Sequence, residues 1–304
     1  MRVFNSTKEY EETGLSSCVA LGFFDGLHEG HKEVIKSTVK EKDELSSVVL
    51  TFEKSPAAVL KNCEQELLLT NAKKAEMLEK MCVNSTVFAD FSSIMNMSAE
   101  QFVDEILDKE LKAEKVFCGF NYHFGKSGKA DTNTLKKLCE KRGIEVIVAK
   151  PVLFEDEAVS STRIRNAIKS GEIKKANSML GYDFSITGVV EKGNEIGHTL
   201  SSPTVNIELE TGIIVPKFGV YKTKVTVEDF TYIGATNIGV HPTVGECSPI
   251  CETYLFDFEN KDIYGEKITV ELLDFIREEK KFDSKEELKI QIEEDKKLIF
   301  TMNN

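Results

Sequence analysis

The sequence predicts two folds in series: an α/β unit built on a parallel sheet with helices on both faces, then an antiparallel β-barrel with a C-terminal helix. Two observations carry this. Up to residue 183, five short β-rich runs alternate with polar or helical segments; from residue 184 onward the hydrophobic period switches to two. A length of 304 residues accommodates two cores, so the expected domains are 1–183 and 184–304.

The five runs are Cys18 to Phe23, Val48 to Phe52, Thr86 to Phe91, Lys115 to Phe120 and Ile144 to Ala149. Strands alternating with helices imply parallel crossovers, and in such a sheet ligands collect at the carboxyl ends of the strands. Helix starts are readable. Ser98 and Gln101 form a capping box ahead of Phe102, Ile106 and Leu107, and Asp131 caps the helix carrying Leu135 and Leu138. The helix Glu172 to Leu180 stops at Gly181, and Tyr182 to Val190 then alternates, which sets the boundary. Beyond it, Val220 to Val227, Phe230 to Ile238, Thr253 to Phe258 and Lys267 to Leu273 read as strands of a six-stranded or similar barrel. A Ser284/Glu287 capping box opens the last helix, with Leu288, Ile292 and Ile299 along one side.

Composition narrows the function classes. Hydrophobic residues at 41% and charged residues at 30% are those of a soluble globular protein. A net charge of −12 disfavours a nucleic-acid surface, while leaving room for a local basic cleft around a nucleotide. Met1 to Asn5 shows no apolar leader region, and no run approaches about 18 apolar residues, so no membrane insertion and a cytoplasmic location are expected. The seven cysteines lie mostly in apolar segments, as reduced core residues do. Cys247 and Cys251, the close pair, lack the spacing of a usual metal or redox motif.

The chemistry centres on Gly22-Phe23-Phe24-Asp25-Gly26-Leu27-His28-Glu29-Gly30-His31, placed between a strand and a helix. Glycines let the backbone approach a ligand, and a helix start presents unpaired N–H groups to an anion. His28 and His31 are three apart, so one ligand can meet both. Nucleotidyl transfer needs position and charge stabilisation and no covalent nucleophile. The stretch resembles the HxGH signature of nucleotidyltransferases, in the G-x-F-D-G-x-H-x-G-H form of prokaryotic bifunctional riboflavin kinase/FAD synthetases.

That resemblance implies a Rossmann-like FMN adenylyltransferase domain followed by a riboflavin kinase barrel. It makes His28 and His31 catalytic and assigns Gly22, Phe24, Asp25, Gly26 and Gly30 to ATP. Gly119 to Lys126 resembles the family's G-x-[DN]-F-x-F-G-K, with Asn121 as a substrate-binding residue and Tyr122 or Phe124 as a ring stack. Val159-Ser160-Ser161-Thr162-Arg163-Ile164-Arg165 resembles S-S-T-x-[IL]-R: Ser160 and Ser161 are natural N-caps, Arg163 or Arg165 can neutralise triphosphate, and the resemblance assigns Ser160, Ser161, Thr162 and Arg165, which matches the family arginine, to ATP. Thr51 to Pro56 departs from the family's T-F-D-P-H-P, with Glu-Lys-Ser where the histidine segment stands.

The second half resembles riboflavin kinase along its length. Thr204 and Asn206 match the Mg²⁺ and phosphate residues of P-T-x-N, Glu252 matches the base, and Arg277 falls to flavin binding. The implied substrates are ATP, riboflavin and FMN, with Mg²⁺ as cofactor, no nucleic acid and the oligomeric state open. The loop Gly197 to Ser202 departs from G-R-x-L-G-[FY] by losing an arginine, a glycine and an aromatic, which predicts a weakened kinase step. Two alternatives stay open on the sequence: an adenylyltransferase with a weak or inactive kinase half, and a flavin-sensing or RNA-binding regulator that keeps both folds.

Overall fold

The computed structural model describes residues 1–41, 45–63, 66–191, 204–240, 249–258, 263–280 and 283–302. The loop 197–202, Cys247, Pro203 and the Leu288 side chain lie outside the described residues, so the expectations placed on them are not addressed by the structure. The chain divides into two compact units, Met1–Ser161 and Thr162–Asn304.

The first unit is a six-stranded parallel sheet of β1 (Arg2–Phe4), β2 (Ser17–Leu21), β3 (Ser46–Phe52), β4 (Ser85–Ala89), β5 (Ala113–Gly119) and β6 (Glu145–Ala149). Their order is β1-β4-β3-β2-β5-β6. All pairs are parallel, with Val19 opposite Val48 and Val116 at the centre. Every residue of β2 and β4 is buried, as strands covered on both faces must be. β1 was not among the five expected strands. Its three residues carry no alternation, and only pairing with Ser85 to Val87 makes them a strand. The Ser98/Gln101 box forms as expected, and the following Phe102–Glu110 turn out as π-type helix that puts Phe102, Val103, Ile106, Leu107 and Glu110 in the interior. Asp131 caps Thr132–Glu140, and a two-stranded hairpin, β7 (Leu153–Phe154) with β8 (Glu157–Ala158), ends the unit.

The second unit is a nearly closed antiparallel barrel of β9 (Ser185–Val189), β10 (Thr204–Glu208), β11 (Gly219–Val227), β12 (Phe230–Val240), β13 (Pro249–Leu255) and β14 (Lys267–Glu278), ordered β10-β13-β12-β11-β14-β9. A bridge between Glu191 and Asn206, with the Glu191 N–H donating to the Asn206 carbonyl at 2.9 Å, links the first and last strands of that order. Along β13 and β12, Cys251, Thr253, Thr236 and Ile238 are buried, and their neighbours in sequence take the opposite face. Thr223, Thr236 and Thr253 satisfy one another inside through hydroxyl contacts of 2.8 and 2.9 Å. Asn177 of the helix Ile173–Leu180 ties to β14 by donating to the Leu272 carbonyl at 2.8 Å while accepting from Phe184 N–H at 2.9 Å.

The C-terminal helix Lys285–Thr301 begins at Ser284, whose hydroxyl accepts from Glu287 N–H. The Glu287 carboxylate reaches Asp283 N–H instead of Ser284, so the box is displaced by one residue. Ile299 is fully buried and Ile292 half-buried, and Asp295 between them is buried against Arg277.

Candidate functional site

In the first unit the site is built from the turn leaving β2. The turn carries three left-handed residues, Phe24 (φ 53°), Gly26 (φ 81°) and Leu27 (φ 37°). A non-glycine residue in that region costs of order 1–3 kcal/mol and persists only where its surroundings hold it. Here they do. Phe24 and Leu27 are buried, Asp25 is buried with Oδ1 accepting from Leu68 N–H at 2.9 Å, and the Ser161 hydroxyl donates to the Asp25 carbonyl at 2.8 Å. The Phe23 carbonyl accepts twice, from Thr51 Oγ1 at 2.8 Å and from Lys74 Nζ at 2.9 Å.

The turn delivers His28 to the N-cap of the helix Glu29–Lys40. The His31 N–H is shared between the His28 carbonyl at 2.8 Å and His28 Nδ1 at 3.3 Å. An accepting Nδ1 leaves the ring proton on Nε2, which is then a donor. The two imidazoles stack, with centroids 3.5 Å apart and planes 18° apart, and Phe24 meets His31 edge-on at 5.3 Å. A Cβ on Gly30 would lie 3.3 Å from the His28 ring, and one on Gly22 would lie 2.9 Å from the Phe24 ring, so both glycines clear space for rings. Burial pushes the His28 pKa down to about 4, and it holds His31 well below the usual range, with the charges of His28 and Lys74 adding to the effect. Both rings are therefore neutral near pH 7, and His31 Nδ1 is buried with no partner among the described residues.

Asn121 is exposed just past the end of β5. Tyr122 and Phe124, expected as a ring slot, stack on each other at 5.9 Å, and Phe124 packs on Phe102 at 5.4 Å within the core. Phe124 is buried and Tyr122 is half-buried against the core, with the chain turning back through a bridge between Phe124 and Ala130. Ser160 immediately precedes the helix Ser161–Ser170, on whose first turns Thr162, Arg163 and Arg165 lie; Arg163 and Arg165 are half-buried and Thr162 is exposed.

In the second unit, β-pairing gathers residues that the sequence spreads over 48 positions. Asn206 stands opposite Glu252, and Glu252 stands opposite Asn237 on its other side. The Thr204 hydroxyl donates to Glu252 Oε1 at 2.7 Å. Asn206 Oδ1 is buried without a hydrogen-bond partner among the described residues. An oxygen lacking a donor, beside a hydroxyl and a carboxylate, is the donor set a hard divalent cation takes, so these residues fit Mg²⁺. Arg277, expected at the flavin, pairs with Asp295. Its Nε contacts both carboxylate oxygens at 2.9 and 3.0 Å and Nη2 reaches Oδ2 at 2.6 Å, which fastens the C-terminal helix to β14.

One residue of consequence escapes a reading of the sequence: Lys74 is 1% exposed on the helix Asn71–Lys80, and its one signal is its place four residues before the buried Leu78. Strand register sets Asn237 opposite Glu252. Cys18, Cys118, Cys139 and Cys251 are buried free thiols, and burial pushes each of their pKa values up, so they stay protonated and inert. Among the described residues no helix is long and apolar enough to cross a membrane.

Residues 11–163 match the family model for FAD synthetase, and residues 180–302 match that for riboflavin kinase. The chain is 36% identical over 291 residues to the bifunctional riboflavin kinase/FMN adenylyltransferase of Listeria monocytogenes, covering 94% of this chain and 92% of the relative. It is 34% identical over 294 residues to the Bacillus subtilis protein of the same description, covering 94% and 92%. A crystal structure from Streptococcus pneumoniae, described as a macrolide-efflux protein, superimposes with a TM-score of 0.88 at 34% identity, covering 98% of this chain and 97% of that one.

Proposed function

The chain belongs to the bifunctional riboflavin kinase/FMN adenylyltransferase family, whose two activities are ATP-dependent phosphorylation of riboflavin to FMN and adenylylation of FMN to FAD, and from that premise we propose how its residues divide the work. Residues 1–183 carry adenylyl transfer and 184–304 carry phosphorylation. Neither an inactive kinase half nor a regulator without catalysis is favoured beside full-length relatives named for both activities.

In adenylyl transfer, an oxygen of the FMN phosphate attacks the α-phosphorus of ATP, the new phosphoanhydride bond forms, and pyrophosphate leaves. The stacked His28/His31 pair at a helix N-terminus carries this reading. Neutral rings enter as hydrogen-bond donors, and the charge that builds on the α-phosphate and leaving group draws on them and on the helix N–H groups. Gly22, Phe24, Asp25, Gly26 and Gly30 shape the cradle. Asn121 contacts the flavin side, while Ser160, Ser161, Thr162 and Arg165 serve the triphosphate, as their motif implies.

In phosphorylation, Glu252 takes the proton of the riboflavin 5′-hydroxyl as that oxygen attacks the γ-phosphorus of ATP, the bond from the γ-phosphorus to the β,γ-bridging oxygen breaks, and ADP leaves. Thr204 orients the Glu252 carboxylate by its hydrogen bond, and Thr204 and Asn206 would hold Mg²⁺. Bound there, the ion neutralises charge on the phosphates. The substrates are small molecules in the cytoplasm, and no nucleic acid takes part.

The test is a His28→Ala/His31→Ala double variant of the full chain, incubated with riboflavin or FMN plus ATP and Mg²⁺, with FMN and FAD then separated. FAD formation disappears and riboflavin phosphorylation persists. Loss of both reactions together would undo the two-site assignment.

A further inference from the structure

The Lys74 side chain is almost wholly buried, yet it contacts no carboxylate at ion-pair distance among the described residues; its ammonium donates to the Phe23 carbonyl. Its ammonium lies 4.4 Å from the centre of the Phe23 ring and 5.9 Å from that of Phe88. A buried ammonium is costly unless it is paired and hydrogen-bonded, so its place here calls for a reason. What lies there is the turn that ends in the two histidines.

We propose that Lys74 is a positioning residue for adenylyl transfer: from the helix Asn71–Lys80 it clamps the Phe23 carbonyl together with Thr51, fixing the left-handed turn that sets His28 and His31. This rests on the reading of those histidines as the adenylyl-transfer pair. The clamp acts one residue ahead of Phe24, whose positive φ would relax to an ordinary conformation if the carbonyl before it swung free. Phe24 in turn meets His31 edge-on, so a shift of the turn moves the second histidine directly. Lys74 is also electrostatically coupled to the site. The Asp25 carboxylate favours its charged form, burial draws its pKa down to about 8, and its charge helps to keep His31 neutral. Because the ammonium is committed to a carbonyl behind the turn, it acts through the histidines.

The test is Lys74→Met in the full chain, a change that keeps side-chain length and apolar packing while removing the donor and its charge. FAD formation from FMN and riboflavin phosphorylation are measured on the same preparation, with the melting temperature. A displaced pair of reacting groups loses turnover more than affinity, so kcat for FAD formation falls about 10²-fold while KM for FMN and ATP moves by no more than roughly threefold. Riboflavin phosphorylation holds at the parental rate, and the melting temperature holds or rises because a buried charge is gone. Parental kcat for FAD formation overturns the proposal, and so does a lowered melting temperature with equal loss of both reactions. Failure of the underlying reading is separable: it would show as FAD formation surviving in the His28→Ala/His31→Ala variant, whatever Lys74→Met does.

Discussion

Thr204→Val is the sharpest probe of the barrel site. The hydroxyl donates to Glu252 Oε1 at 2.7 Å, beside the unpartnered Oδ1 of Asn206, and valine has the same shape without the donor. Thr204 is half-buried at the start of β10, where a β-branched side chain suits the strand, so the fold loses no more than that one hydrogen bond. A hydrogen bond to a charged group contributes about 1.5–3 kcal/mol, and if all of it is expressed in the transition state, kcat for riboflavin phosphorylation drops roughly 10- to 150-fold. The Mg²⁺ concentration needed for half-maximal rate rises as well, because one of two proposed ligands is gone. The assay follows FMN formation from riboflavin across a Mg²⁺ titration, with FAD formation from supplied FMN as the internal control. Parental phosphorylation at every Mg²⁺ concentration would refute the assignment, and a fall in FAD formation of the same size would show that the change had damaged more than this site.

Two further outcomes follow from the first unit. Gly22→Ala places a Cβ 2.9 Å from the Phe24 ring, which lies edge-on to His31; overpacking of this kind costs about 1–3 kcal/mol, so thermal melting of the variant falls and FAD formation falls further than riboflavin phosphorylation. Acid sensitivity comes from His28, buried with its folded pKa lowered to about 4 while an unfolded histidine titrates near 6.5. The unfolded chain then takes up a proton that the folded chain refuses, so stability is full above pH 6.5 and declines as pH falls toward 4, by about 2 kcal/mol between pH 7 and pH 5. Denaturant unfolding at those two pH values measures it, and a His28→Ala variant showing the same slope would assign the effect elsewhere.

How much was legible beforehand varies with the range of the interaction. The capping residues Ser98 and Asp131, the stop at Gly181 and the strand-then-helix setting of the His28 segment all appear in the structure where local rules put them, since a cap or a turn involves residues within a few positions. β1 was invisible, because three residues become a strand only when a partner strand supplies the hydrogen bonds. Tyr122 and Phe124 look alike as core or as ring slot in sequence; in the fold the two rings stack on each other and Phe124 joins the core. Arg277 carries a similar ambiguity, and its partner in the fold, an aspartate 18 residues away on a helix, has no local signal in the sequence.

By itself, then, the sequence determined the two fold classes and the chemical types on hand, two imidazoles at a helix start and a hydroxyl, amide and carboxylate in the barrel. Periodicity and capping are local, and they survive in a string of letters. Only the tertiary structure decided which groups share a site and in what state. Strand register joined Asn206, Glu252 and Asn237, burial made the two histidines neutral, and packing brought Lys74 from a distant helix to the carbonyl that holds their turn. Register, desolvation and long-range contact depend on what surrounds a residue, and that is settled when the chain has folded.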